Sequence, residues 1–208
     1  MDLFKILSQL LVMPVGTSVV ASLAWSLLRK PRLDAYPSNS NPKVSEKNLH
    51  GFYTVDVVNK GRVFIPSSTA YECIAELIFK SMDGKELIRV EGGKWVKGPE
   101  PIVVHLFKSK ILKIPYESLI PSAQYRNIRC GTPEPLILVV KFEGDERIYA
   151  FSPLSYVKGM KSKEFRIGGI GKYLCEINVT CENARGKYKF IVENRGKGLY
   201  DVNIRRIR

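Results

Sequence analysis

Two rules of hydrophobic spacing divide the chain. Residues 6–28 contain no Asp, Glu, Lys, Arg or His. Wound as a helix at about 1.5 Å per residue, that run spans roughly 35 Å, enough to cross a bilayer core with some tilt. Pro14 and Gly16 lie inside it, and both residue types are tolerated in membrane helices. Trp25 sits near its end, where an aromatic suits the headgroup level, and Arg29, Lys30 and Arg32 follow at once. The pattern predicts one N-terminal transmembrane helix with a basic stop, over residues 1–30. A cleaved signal peptide and a buried soluble helix are the rival readings. Against the first, apolar residues continue past Val19-Val20-Ala21 to Leu28, and only Lys5 precedes the run.

From about residue 49 the pattern becomes short apolar runs with a period of two, broken by Gly, Pro, Asn and Asp. Strands are expected at 52–58, 70–80, 86–90, 102–107, 111–114, 136–142, 147–152, 173–181, 187–193 and 199–207. Turn residues separate them, as in Met82-Asp83-Gly84-Lys85 and Glu143-Gly144-Asp145-Glu146. Residues 31–49 read as a linker rich in Ser, Asn and Pro, with a candidate first strand at 33–36. Residues 50–208 read as one antiparallel all-β domain, a sandwich or barrel. No βαβ rhythm is visible. Tyr71, Cys73, Ala75, Leu77 and Phe79 should share one face, as should Tyr173, Cys175, Ile177, Val179 and Cys181.

Gly171-Lys172-Tyr173-Leu174-Cys175 resembles the G-x-Y-x-C part of strand F in immunoglobulin domains, where the Tyr makes a corner bond. Val57-Val58-Asn59-Lys60-Gly61 is similar to the V-x-N-x-G start of immunoglobulin-like modules. The resemblance implies an immunoglobulin-like antiparallel β-sandwich, with Cys73 in the strand B position and Trp95 as the core Trp. It also implies a Cys73–Cys175 bridge. The span between those cysteines exceeds that of an antibody domain, so insertions are expected. Read without the resemblance, Cys73, Cys130, Cys175 and Cys181 are buried thiols, or Cys73 pairs with Cys175 or Cys181, or one of them pairs with Cys130. No C-x-x-C spacing suggests zinc.

Candidate chemistry is sparse. His50 and His105 are the only histidines, and each reads as structural. Ile167-Gly168-Gly169-Ile170-Gly171 lacks the Lys-Ser/Thr and the helix of a phosphate loop and reads as a turn. No catalytic, cofactor-binding or metal-ligating set is expected, and a small-molecule substrate is not expected either. Charge is the outlier: 33 Lys plus Arg against 20 Asp plus Glu give +13. Lys5 cancels Asp2, so the whole excess lies beyond residue 28. Candidate anionic-surface contacts are Arg29, Lys30, Arg32, Lys158, Lys161, Lys163, Arg166, Arg205 and Arg206.

The expectation is a single-pass membrane protein whose β domain is a non-catalytic interaction or scaffold module. Its partners would be the bilayer and another protein. The cations after the apolar run favour a cytoplasmic β domain. Two alternatives stand beside it: a basic membrane-proximal domain that binds anionic lipid or nucleic acid, and an enzyme of unrecognised type. A nucleic-acid surface would gather Lys158, Lys161, Lys163, Arg166 and Arg205 on one face.

Overall fold

The computed structural model describes residues 14–38, 43–45, 49–61, 68–97, 103–106, 110–113 and 124–207. Strands dominate. Helix α1 (Pro14–Leu28) is followed by β1 (Leu33–Pro37), β2 (Lys43–Ser45), β3 (His50–Asn59), β4 (Ala70–Lys80) and β5 (Glu86–Val90). Then come β6 (Val103–Leu106), β7 (Lys110–Lys113), β8 (Arg126–Ile128), β9 (Glu134–Phe142) and β10 (Ile148–Ala150). A short helix α2 (Pro153–Lys158) precedes β11 (Arg166–Gly168), β12 (Gly171–Thr180), β13 (Arg185–Asn194) and β14 (Val202–Ile207).

Two antiparallel sheets stack in a sandwich-like arrangement. The first runs β1-β3-β9-β10-β11, with β2 beside β3; the second runs β14-β13-β12-β4-β5, with β8 beside β4. β6 and β7 make a separate hairpin. β1 lies against β13 and β14, and β11 lies against β5, so these strands mark the two long edges of the stack.

Alternation explains the core. Cys175, Ile177 and Val179 of β12 point inward, and so do Tyr188, Phe190 and Val192 of β13, while Lys187 and Lys189 face solvent. Cys73, Ala75, Leu77 and Phe79 join them from β4. Val55, Val57, Leu136, Leu138 and Ile148 answer from the first sheet. Full burial of a side chain such as Phe79 or Phe190 contributes about 1.5–3 kcal/mol. Tyr71, expected on this inner face, is exposed instead. Glu72 adopts a left-handed φ of 48°, and the β4–β8 register slips between Ala70 and Cys73. That bulge turns the strand before Cys73 and carries Tyr71 off the core face.

The immunoglobulin assignment of strands does not hold. Strands B and F of such a domain lie in opposite sheets. Here their proposed counterparts, β4 and β12, are neighbours in one sheet. Two features of the resemblance do have structural counterparts. Tyr173 donates its hydroxyl to the Gly169 carbonyl at 3.0 Å. Trp95 is fully buried and its Nε1 donates to the Gln124 carbonyl at 3.0 Å. Gly168 lies so close beneath the Tyr173 hydroxyl that a Cβ would sit 2.2 Å from it.

One sandwich edge is clasped by charge. Asp34 on β1 meets Lys60 after β3 and Arg206 on β14, both at 2.5 Å. Arg206 also lies over the Tyr188 ring. Burial alone would raise the Asp34 pKa, but bonds from Lys60, Arg206 and the Ala35 N–H outweigh it and hold the carboxyl below its ordinary value. Stability from such a group is present above the unfolded pKa and is lost as pH falls through the folded one. Asp34→Asn should therefore cost about 1 kcal/mol at neutral pH. The difference from the parent should close in acid; urea unfolding at pH 7 and near pH 3 checks this, and a gap that persists in acid contradicts the clasp.

Candidate functional site

Strand directions give the sandwich two ends. β1, β4 and β13 begin at the end where α1 joins, and β3, β12 and β14 finish there. The opposite end carries the turns at 81–85, 143–147, 169–170 and 195–201.

Asn59 organises the α1 end. It is fully buried. Its Oδ1 accepts from the Arg32 N–H at 3.1 Å, and its Nδ2 donates to the carbonyls of Ser68 at 2.7 Å and Ile128 at 3.1 Å. One side chain thus joins the α1–β1 connection, the start of β4 and the end of β8. Ser68 adds two bonds to the Arg29 carbonyl, from its N–H at 2.6 Å and its hydroxyl at 3.0 Å. Beside this junction a cavity of about 690 Å³ is lined by Ser26, Leu27, Lys30, Ser68, Ala184 and Arg185.

α1 itself is exposed. Ala21 through Leu27 all face solvent, Leu23, Trp25 and Leu27 among them. Its polar residues are only Ser and Thr, so no charged face offsets the apolar one. Its fifteen residues span about 22 Å. Among the described residues, no helix is long and apolar enough to cross a membrane. The first part of the uncharged run, residues 6–13, lies outside the described residues.

The disulfide joins Cys73 to Cys181, with Cα atoms 4.0 Å apart. This corrects the Cys73–Cys175 pairing. In the β4–β12 register Thr180 faces Ile74, so the next pair along is Cys181 and Cys73. Cys175 faces Phe79, well up the strand. Its free thiol is buried, and burial pushes its pKa up, away from reactivity. Cys130, also free, is partly exposed.

The candidate cations divide into separate places. Arg29, Lys30 and Arg32 are exposed at the α1 end. Lys158, Lys161, Lys163 and Arg166 lie along the α2–β11 segment, at the edge where β11 meets β5. There Lys158 pairs with Glu164 at 2.8 Å, and Lys161 stands 4.4 Å above the Phe142 ring. Arg205 and Arg206 lie on β14, at the opposite edge; Arg206 belongs to the clasp and only Arg205 is free of it. The five residues that would form a nucleic-acid face are therefore divided between two edges. His50 packs between Phe52 and Phe142, with ring centroids 4.9 and 5.5 Å away. His105 lies on β6.

The far end is tied by Lys141, which is fully buried. Its Nζ donates to the carbonyls of Asp145 at 2.5 Å and Gly196 at 2.6 Å, and to Asn194 Oδ1 at 3.1 Å. Asn194 Nδ2 donates onward to the carbonyls of Glu146 at 2.6 Å and Gly169 at 2.8 Å. Burial draws the Lys141 pKa down, against the pull of Asp145, Asp201, Glu143 and Glu146. Tyr53 donates to the Leu199 carbonyl, and burial pushes its pKa up to about 12. Around these ties Leu49, Met82, Ile170 and Tyr200 stand exposed on four separate turns. Sequence spacing gave no sign of this grouping, since it scans only neighbours along the chain.

No protein family matches the chain, and no curated protein or solved structure matches it. Among the described residues, no group of three or more His, Cys, Asp or Glu side chains is placed to hold a metal ion.

Proposed function

We propose that the chain is a membrane-anchored, non-catalytic interaction or scaffold module. In this reading α1 belongs to a transmembrane anchor over residues 1–30, and the β domain shows its far end to a protein partner. The observation that carries it is the exposure of α1. A helix that carries no charged side chain and exposes residues 21–27, with Leu23, Trp25 and Leu27 among them, is suited to another apolar medium. Exposed Leu49, Met82, Ile170 and Tyr200 at the far end supply adhesive tips, and Lys141 and Asn194 hold the turns that carry Ile170 and Tyr200 in place. The Tyr173 corner bond supports keeping the immunoglobulin-like likeness at the level of a sandwich that presents loops. Lys141, Tyr53, Glu143 and Asp145 at the far end are each engaged in a structural tie, which suits a surface that presents loops.

Alkaline carbonate should leave the full-length chain with the vesicles; its release would overturn the anchor. The cations after α1 favour a cytoplasmic β domain. The Cys73–Cys181 bridge supports a second reading, with the domain on the oxidising side. Protease added to sealed inside-out and right-side-out vesicles decides between them, because the β domain is digested only on the side it occupies.

A further inference from the structure

We infer that the α1 end carries a collar that binds anionic lipid headgroups. The inference rests on reading α1 as part of a membrane anchor. Five exposed cations meet at this end: Arg29, Lys30, Arg32, Arg129 and Arg185. They come from three stretches far apart in sequence. Arg29, Lys30 and Arg32 leave α1, Arg129 follows β8, and Arg185 opens β13. The fold brings the stretches together. Gly131, two residues past Arg129, donates its N–H to the Asn59 carbonyl at 2.9 Å, and Asn59 accepts the Arg32 N–H. Lys30 and Arg185 line the same cavity.

None of the five forms an ion pair among the described residues. Among the described residues the carboxylates exposed nearby are Glu72 and Glu182, while Asp34 is already held by Lys60 and Arg206. Among the described residues the five cations outnumber these two exposed carboxylates, so the end carries an excess of positive charge. A lipid fits it better than a nucleic acid does. The cavity sets Leu27 and Ala184 beside Lys30 and Arg185, with Glu182 the one carboxylate in its lining, and this mix of two cations and apolar side chains suits a phosphodiester joined to acyl chains. Trp25 and Tyr71 are exposed at the same end, the residue types that settle at a headgroup boundary. The candidate cations on α2 and β11 lie at a sandwich edge and take no part.

The test uses the full-length chain in phosphatidylcholine bilayers with a trace of spin-labelled phosphatidylglycerol or spin-labelled phosphatidylcholine. The motionally restricted fraction reports which lipid associates with the protein. At low salt phosphatidylglycerol should associate about fivefold more strongly. High salt should shrink that preference. The K30Q/R129Q/R185Q variant should lose most of it; these side chains are exposed, and an unchanged circular dichroism spectrum verifies the fold. Equal association of the two labels, or a preference that the variant leaves unmoved, overturns the collar. So does binding of a single-stranded oligonucleotide that vanishes in the variant while no lipid preference exists. Carbonate extraction separates the two readings: a chain that washes off refutes the anchor, and a chain that stays without lipid preference refutes only the collar.

Discussion

Reducing the Cys73–Cys181 bridge should lower the stability of the β domain by about 3–5 kcal/mol. The bonded residues are 108 apart in sequence, so the bridge closes most of the β domain into one loop. Loop-closure entropy for such a length sets the upper part of that range in the chain-entropy account. The bridge also fastens the end of β12 to β4 just after the Glu72 bulge, where the ladder to β8 has slipped. Urea unfolding with and without reductant measures the effect. Thiol counting checks the bridge: the denatured, unreduced chain should expose two thiols, Cys130 and Cys175, and the reduced chain four. Cys175→Ala should leave the bridge intact and one free thiol. Four thiols before reduction, or a second free thiol in that variant, would refute the bridge as drawn.

The period-two pattern located the strands well because each is half-buried between the core and solvent. β4 and β5 begin and end where the pattern placed them. The expected strand at 33–36 is β1, paired along β3 with Ala35 buried. β2, β8 and β11 are not legible; each is three residues long with one large apolar side chain, too little for alternation to register, whereas the equally short β10 lies in the apolar run 148–151. α2 also lacks a usable period, although Ser152 and Ser155 cap its start reciprocally and Pro153 follows the cap. The cysteine pairing was missed for a different reason. It depends on which strands are neighbours, and the immunoglobulin likeness put β4 and β12 in opposite sheets. Once they are adjacent, register alone selects Cys181 over Cys175. The α1-end cations show the same limit. Arg29, Lys30 and Arg32 stand out as a cluster in the sequence, whereas Arg129 and Arg185 join them only through the fold.

Lys141 offers the sharper test of how the far end is held. Lys141→Met keeps most of the buried stem but removes every donor to the carbonyls of Asp145 and Gly196 and to Asn194 Oδ1. Buried acceptors left without a donor cost about 1–3 kcal/mol each before relaxation. The expected loss is about 3–5 kcal/mol in urea unfolding at neutral pH. If the lysine served only to fill space, Lys141→Met would be nearly neutral, since an apolar group of similar shape would replace it. Hydrogen exchange gives the local signature. Protection should fall first at the Gly144 N–H, which donates to the Lys197 carbonyl, and at the Leu199 N–H, which donates to Glu143. Protection in the middle of β12 should be retained while the variant remains folded. These turns carry Leu49's neighbour Glu143 and the exposed Tyr200, so loosening them should also blur any surface offered to a partner. A partner recovered with the parent chain should then bind the variant more weakly even where both are folded. Equal binding would separate the lysine's structural role from partner recognition.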